Sequence, residues 1–241
     1  MCTVTYIPVG ESVFITSNRD EHGRRAPALY PEVYAGSTGR LLYPKDGQAG
    51  GSWFAVHGRG HVLVLLNGGF TRHIPQPPYR RSRGLVLLEL TDSPGPLHSF
   101  QFMVLDGIEP FTLILVEEGK LYECRWDGKE KHLLQPAPDQ PYIWSSATLY
   151  EPGVSQKRGQ WFEQWLLANP RPDQDDILRF HQFTGDGDSR NDLLMNRDGL
   201  LLTVSITAVR YSREGASMRY LDMAGRQEVG KTLLFTKPIL Q

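Results

Sequence analysis

The chain has 241 residues, of which 40% are hydrophobic and 22% are charged, so it can bury a large core, and we expect a single domain over residues 1–241. A formal net charge of -1 gives no broad electrostatic attraction to nucleic acid or to an anionic membrane. Two cysteines, Cys2 and Cys124, are too few for a disulfide scaffold, which favours a reducing compartment.

Targeting and membrane signals are weak throughout the chain. The opening MCTVTYIPVGE lacks a basic region, and its apolar run is interrupted. The apolar run at residues 62–66 is far shorter than the ~20 residues that a spanning helix needs. We therefore expect a cytoplasmic protein without stable membrane insertion.

Strand patterns dominate both ends of the chain. Residues 3–7 and 13–17 are rich in β-branched and aromatic side chains and are separated by the turn sequence PVGE, which predicts a hairpin. The remaining strands are predicted at residues 52–57, 61–66, 112–116, 121–126, 131–135, 200–209, 217–221 and 232–236. The apolar run at 62–66 predicts a strand that is covered on both faces.

Helix patterns lie between these strands, at residues 83–91, 156–168 and 173–183. A polar loop is predicted at 185–191. Strands at both ends with helices between them indicate an α+β protein or a layered sheet sandwich.

Three motif-like stretches give little reason to expect a metal or a nucleotide. Residues 225–232 match the phosphate-loop pattern GxxxxGKT, but no helix pattern follows, so a hairpin turn is favoured. His57 and His61 flank a glycine-rich turn and should lie on neighbouring strands. The acidic loop at 186–197 lacks the glycine and the final glutamate of a calcium loop.

A basic stretch, RRSR at residues 80–83, follows Tyr79. It is compatible with recognition of an anionic ligand or with the charged start of a surface helix. The charged start of a surface helix is the commoner outcome for such a stretch.

Cys2 has chemistry that an internal cysteine lacks. The initiator methionine is normally removed when a small residue follows it, and the new α-amino group has a reference pKa of about 7.7–8.0. The amine can then take the thiol proton, so that one residue supplies nucleophile and base. The alternative is a chance cysteine in a frayed terminus.

Three polar residues are expected near Cys2. Arg19 favours a thiolate, Asp20 accepts hydrogen bonds from an α-ammonium group, and Asn67 offers an amide donor to an oxyanion. Each also has a structural interpretation: an ion pair for Arg19, a turn for Asp20, and an Asx turn before Gly68 for Asn67.

Four stretches together resemble a known family: MCT at the start, NRDE at 18–21, GGSW at 50–53 and NG at 67–68. They are similar to the NRDE family, also called the transport and Golgi organisation family. That family resembles in turn the N-terminal nucleophile hydrolases of the choloylglycine hydrolase and penicillin V acylase type. The resemblance implies a four-layer αββα sandwich, with two stacked antiparallel sheets and helices outside.

The resemblance also implies a site without a metal or cofactor. Its catalytic residues would be Cys2 as nucleophile, Arg19 and Asp20 as the activating pair, Asn67 as oxyanion donor, and Arg210 as a late arginine near the thiol. Asn18, Trp53 and Ser146, with Ser145 as an alternative to Ser146, would contact the substrate. The implied reaction is cleavage of a linear carbon–nitrogen amide bond, with a small-molecule amide or acyl compound as ligand.

The family name also implies a second function. A non-catalytic carrier would bind a lipid, an acyl-coenzyme A or a haem-like ligand in the same pocket. Exposed aromatic residues Tyr79, Trp144 and Tyr150 beside Arg80 and Arg81 would suit such an amphipathic anion.

Overall fold

The computed structural model describes residues 3–236. Within this range the strands are β1 Thr3–Val9, β2 Ser12–His22, β3 Leu29–Ala35, β4 Arg40–Lys45, β5 Phe54–His57, β6 Val62–Asn67, β7 Phe111–Glu117, β8 Lys120–Trp126, β9 Lys131–Leu134, β10 Tyr142–Ser145, β11 Asn196–Arg197, β12 Leu201–Tyr211, β13 Gly215–Asp222 and β14 Gln227–Leu234. The helices are α1 Arg83–Thr91, α2 Pro96–Phe102, α3 Pro152–Ala168 and α4 Gln174–Phe183.

The strands form two seven-stranded sheets whose neighbouring strands run antiparallel. The first sheet has the order β10-β1-β2-β12-β13-β14, and β11 pairs with β12. The second sheet follows chain order from β3 to β9. The predicted amino-terminal hairpin is confirmed, since β1 and β2 pair from Thr3 opposite Asn18 to Val9 opposite Ser12.

The two sheets stack face to face over a shared apolar core. Val4 and Ile15 of the first sheet belong to the same buried cluster as Val62 and Val64 of the second. Alternate residues of β6, including Leu63, belong to a different buried cluster beneath α1 and α2. The apolar run of β6 is therefore covered on both faces, as predicted.

Helices cover the outer faces of both sheets. Val86, Leu87 and Leu90 of α1 pack on the second sheet, whereas Phe162 of α3 and Phe180 of α4 pack on the first. The layers thus follow the order α, β, β, α, which confirms the predicted fold class. Within residues 3–236, no helix combines the length and the apolarity needed to cross a membrane.

Residues 225–232 form the predicted hairpin turn, not a phosphate-binding loop. β14 begins at Gln227 and pairs with β13, so that the motif forms a hairpin turn and the strand after it. A phosphate-binding loop leads into a helix, whereas this segment leads into a strand.

Candidate functional site

The candidate site surrounds the start of β1. Thr3 is fully buried and lies between two register partners, Asn18 of β2 and Ser145 of β10. Cys2, the predicted nucleophile, lies outside the described residues. The neighbours of Thr3 therefore define the surroundings of the site.

Arg19 is a buried cation held in one orientation. Its Nη2 donates to Oδ2 of Asp46 across 2.7 Å, and its guanidinium carbon lies 4.5 Å from the centroid of the Trp53 ring. Only 4% of its surface is exposed. An ion pair and a cation–π contact thus fix Arg19 before any ligand binds.

Asp46 is the shared anchor of two arginines, and the sequence analysis did not identify it. Arg25 donates to both of its carboxylate oxygens at 2.9 and 3.0 Å, and the N–H groups of Gln48 and Ala49 donate to Oδ1. Burial alone would raise the pKa of Asp46, but the hydrogen bonds from Arg25 and Ala49 outweigh it and lower that pKa. Asp46 stays ionised and keeps Arg19 in place.

Asp20 is buried and accepts hydrogen bonds from two hydroxyl groups. Tyr150 Oη donates to Oδ2 at 2.6 Å, and Thr203 Oγ1 donates to Oδ1 at 2.5 Å. Thr203 lies opposite Asp20 in the register between β2 and β12. The carboxylate is thus oriented by residues far away in the sequence.

Asn67 ends β6, and its backbone carbonyl is held by a neighbouring side chain. Ser146 Oγ donates to the Asn67 carbonyl at 2.8 Å, so the Ser146 hydroxyl holds the peptide of Asn67. Gly68 follows with φ +87°, and a Cβ there would lie 2.9 Å from Thr148 Cγ2. The close approach of these two segments therefore requires glycine at position 68.

A cavity of about 490 Å³ is lined by Arg19 and Asn67, but not by Asp20 or Ser146, and we call it the Arg19 cavity. Its wall includes Arg19, Trp53 and Asn67, which come from both sheets. The remaining wall is polar and is formed mainly by Glu21, Arg25, Asp46, Tyr79, Arg81, Ser82, Arg83 and Glu109. Three predicted site residues thus line one cavity.

The RRSR stretch lies at this cavity and forms the charged start of a helix. Arg81 and Arg83 line the cavity, while Arg80 turns away to the carbonyl oxygens of Val104 and Asp106. Arg83 pairs with Glu109 across 3.0 Å, and burial lowers the pKa of its guanidinium. The stretch also starts α1, with Ser82 as its N-cap.

A second cavity, of about 610 Å³, lies on the β10 side of β1, and we call it the Tyr150 cavity. Ser145, the register partner of Thr3, lines it together with Tyr150 and Phe70. Arg72 and Arg125 supply cationic groups to its wall. The start of β1 thus lies between strands that contribute to two different cavities.

The structure turns Asn18 away from the Arg19 cavity. Its Nδ2 donates to the carbonyl oxygens of His181 and Leu193, and its Oδ1 lies 2.6 Å from Nδ1 of His181. Successive side chains of a strand point to opposite faces, so Asn18 points to the helix layer when Arg19 points between the sheets. The Asn18 amide therefore connects β2 to the helix layer, on the face of the strand opposite to Arg19.

Arg210 is likewise not brought to the site. Ser205 lies opposite Arg19, whereas Arg210 lies opposite Phe14, five residues further along β12 and about 17 Å away at strand spacing. Arg210 is exposed, and its Nε is 3.3 Å from Ser12 Oγ. The register of β12 therefore separates it from the start of β1.

The aromatic surface expected for a carrier is not assembled. Trp144 is 9% exposed and donates its indole N–H to Glu123, and Tyr150 is 5% exposed. Of the three aromatic residues, only Tyr79 lines the Arg19 cavity.

Among residues 3–236, no cluster of three His, Cys, Asp or Glu side chains is placed to hold a metal ion. His57 and His61 stack with ring centroids 5.4 Å apart, but His57 is bonded to Thr38 Oγ1 and to the Arg59 N–H.

Solved structures share this architecture at low sequence identity. The Caenorhabditis elegans N-acylethanolamine-hydrolyzing acid amidase ortholog matches with a TM-score of 0.56 and 10% identity, over 86% of this chain and 92% of that chain. A cysteine-to-alanine mutant of conjugated bile acid hydrolase from Clostridium perfringens matches with the same TM-score and identity, over 99% of this chain and 98% of that chain. This chain therefore shares the fold of these two hydrolases.

The sequence identifies the family itself. The model of the Transport and Golgi organisation 2 family matches residues 1–192, most of the chain. The chain belongs to this family, which confirms the resemblance seen in its amino-terminal motifs. A comparison with curated proteins gave no significant match.

Proposed function

We propose that this chain is a cysteine N-terminal nucleophile hydrolase that cleaves a linear amide bond through an acyl-enzyme on Cys2. The observation that supports the proposal is the position of two polar residues next to the start of β1, and of a third in the cavity that one of them lines. Arg19 and Asp20 directly follow Asn18, the register partner of Thr3. Asn67 lines the same cavity as Arg19.

The connection to Cys2 is covalent. A trans peptide bond keeps neighbouring Cα atoms about 3.8 Å apart, so Cys2 cannot be far from the buried Thr3. An amino-terminal thiol there would have Arg19 as a nearby fixed cation, which favours the thiolate. Asp20 would accept a hydrogen bond from the α-ammonium group.

The reaction then proceeds in two stages. In the first, the α-amino group of Cys2 takes the thiol proton while Sγ attacks the amide carbonyl, and Asn67 donates to the resulting oxyanion. The carbon–nitrogen bond breaks, and the leaving nitrogen takes the proton from the α-ammonium group. In the second, the amine removes a proton from water as the water attacks the thioester, which releases a carboxylic acid and restores the thiol.

The two cavities are proposed to hold the two halves of an amide. The Arg19 cavity, about 490 Å³, and the Tyr150 cavity, about 610 Å³, each have cationic and aromatic groups in their walls. We propose a small-molecule amide or acyl ligand for this reason. The amide-cleaving activity named for the acid amidase ortholog supports the same bond type.

A cytoplasmic location fits this chemistry. Cys124 is a free buried thiol, and a thiol nucleophile also has to stay reduced. Burial raises the pKa of Cys124 to about 12, so it does not compete with an activated Cys2.

The test is turnover by purified full chain whose amino-terminal residue has been identified by mass spectrometry. N-acyl amines and N-acyl amino acids serve as substrates, with Cys2→Ala as the variant and Cys124→Ala as the matched control. We expect hydrolysis in the parent chain and in Cys124→Ala, its loss in Cys2→Ala, and an acyl adduct on the Cys2 peptide.

Two results would overturn this proposal. One is hydrolysis that persists in Cys2→Ala, and the other is retention of Met1 on the active chain. Binding of lipid or acyl ligands without turnover, unchanged in Cys2→Ala, would instead support the carrier function.

A further inference from the structure

Arg158 of α3 is fully buried and bonded to the first residue of β1. Its Nη1 donates to Thr3 Oγ1. Its Nε and Nη2 donate to the Asn191 carbonyl at 3.2 and 3.0 Å, and Nη2 also donates to the Asp192 carbonyl at 2.7 Å. These acceptors are neutral, so they satisfy the donors without cancelling the charge.

The same guanidinium also stacks on the residue that holds Asp20. The Arg158 guanidinium carbon lies 3.7 Å from the centroid of the Tyr150 ring. The Tyr150 hydroxyl donates to Asp20 at 2.6 Å. One buried cation therefore contacts both the start of β1 and the partner of the proposed activating carboxylate.

We propose that Arg158 is a positioning residue that fixes the start of β1 and, through the Tyr150 ring, the carboxylate of Asp20, while its charge acts on the Cys2 thiol and α-amino group. The inference rests on the proposed function of Cys2. It assigns to α3 a part in the site that the amino-terminal motifs do not contain.

The charge of Arg158 acts on groups packed around it. Burial, and secondarily Arg158, lower the pKa of His181 to about 3, so this neighbouring imidazole stays neutral. Asp20 is bonded to the Tyr150 hydroxyl, and the Arg197 guanidinium carbon lies 5.6 Å from the centroid of the same ring. Because a nearby cation stabilises a thiolate and opposes an ammonium group, Arg158 favours the reactive form of both Cys2 groups.

The role can be measured without any substrate. The rate of alkylation of Cys2 by iodoacetamide is followed as a function of pH, and the amino-terminal peptide is read by mass spectrometry. The variants are Arg158→Met, which removes the charge, and Arg158→Lys, which keeps it but loses the planar stack. Arg197→Met is the matched control, because Arg197 also lies near the Tyr150 ring. Among the described residues it donates hydrogen bonds to Leu149 and Asn191, and it has no bond to Thr3.

For Arg158→Met we expect the midpoint of the alkylation profile to rise by about one pH unit, or roughly a tenfold lower rate below the midpoint. Arg158→Lys should keep the midpoint but unfold at a lower temperature. Arg197→Met should keep the midpoint within a few tenths of a unit. If Arg158→Met does not fold, Arg158→Gln replaces it, with the same upward shift expected.

A folded Arg158→Met or Arg158→Gln chain with an unchanged midpoint would overturn the inference and leave Arg158 a purely structural residue. Since alkylation needs no turnover, failure of every amide substrate would count against the proposed function alone. The two ideas therefore fail through different measurements.

Discussion

Tyr150 donates its hydroxyl hydrogen to Asp20 across 2.6 Å, joining the segment after β10 to the strand that carries Arg19. Both residues are buried. The bond connects the NRDE motif to a residue 130 positions later, which explains why the motif cannot define its own geometry.

Removal of this hydroxyl should destabilise the protein and disturb the site. In Tyr150→Phe the ring can still stack on Arg158, and Asp20 keeps its bond from Thr203. A hydrogen bond to a buried charged group contributes about 1.5–3 kcal/mol, so we expect the free energy of unfolding to fall by about 2 kcal/mol. Urea unfolding measures the loss of stability, and the rate of Cys2 alkylation measures the disturbance of the site.

The control for this variant is Tyr142→Phe, which alters a half-buried tyrosine in β10. It should leave the Cys2 alkylation rate unchanged. Equal effects of the two variants on that rate would show that the Tyr150 hydroxyl has no specific role.

The two arginines assigned by resemblance should behave differently. Arg19→Met removes a buried cation from the cavity wall, and we expect the alkylation rate of Cys2 at pH 7 to fall about tenfold, as for loss of one nearby charge. Arg210→Met changes an exposed residue at the other end of the pairing between β2 and β12. Its Cys2 alkylation rate should stay within twofold of the rate in the parent chain. A large loss in Arg210→Met would contradict the placement of Arg210.

Gly68 should be far less tolerant of alanine than Gly10. Both have positive φ, so both substitutions carry a strain of about 1–2 kcal/mol. Only at Gly68 does the new Cβ also collide with the segment that carries Thr148, whereas nothing lies within 4 Å at Gly10. We expect Gly68→Ala to cost about 1–3 kcal/mol more in urea unfolding. Equal losses of unfolding free energy in the two variants would mean that the segment carrying Thr148 moves aside without cost.

Acid should destabilise the fold through His61. Its ring nitrogens are buried and have no hydrogen-bond partner among the described residues, and burial, with smaller effects from His57 and Arg59, lowers its pKa to about 4. The unfolded chain binds this proton near pH 6.5, so the stabilising contribution is complete above that pH and is lost as the pH falls toward 4. We expect a loss of about 2 kcal/mol between pH 7 and pH 5 from this group alone.

His61→Phe should remove that part of the acid sensitivity, because phenylalanine keeps an aromatic ring and takes up no proton. The measurement is urea unfolding at pH 7 and pH 5 for both chains. Identical pH dependence in the two chains would show that His61 is not the group responsible.

Local signals predicted the parts of the fold that depend on neighbouring residues. The amino-terminal hairpin has a glycine turn between two β-branched runs, and α1 follows a serine N-cap over the predicted residues 83–91. β3 and β4 were not predicted, because their sequences LYPEVYA and RLLYPK include prolines and exposed charges and lack clear alternation. Their pairing with neighbouring strands defines them.

The sequence predicted the site residues that are close together in one motif. It did not predict positions that depend on the register between strands. Strand alternation would have separated Asn18 from Arg19, but the sequence shows no partner such as His181 for the buried amide. The position of Arg210 depends on the pairing of β12 with β2, which spans almost the whole chain. Asp46 and Arg158 gave no local signal, since each acts through a tertiary contact.

The burial of Thr3 has a practical consequence for preparing the protein. A tag fused to the amino terminus would lie within a few residues of Thr3, which is fully buried and bonded to Arg158. It would also replace the free amine that the proposed chemistry uses. An inactive preparation with such a tag would therefore say nothing about catalysis, and purification should begin from an unextended amino terminus.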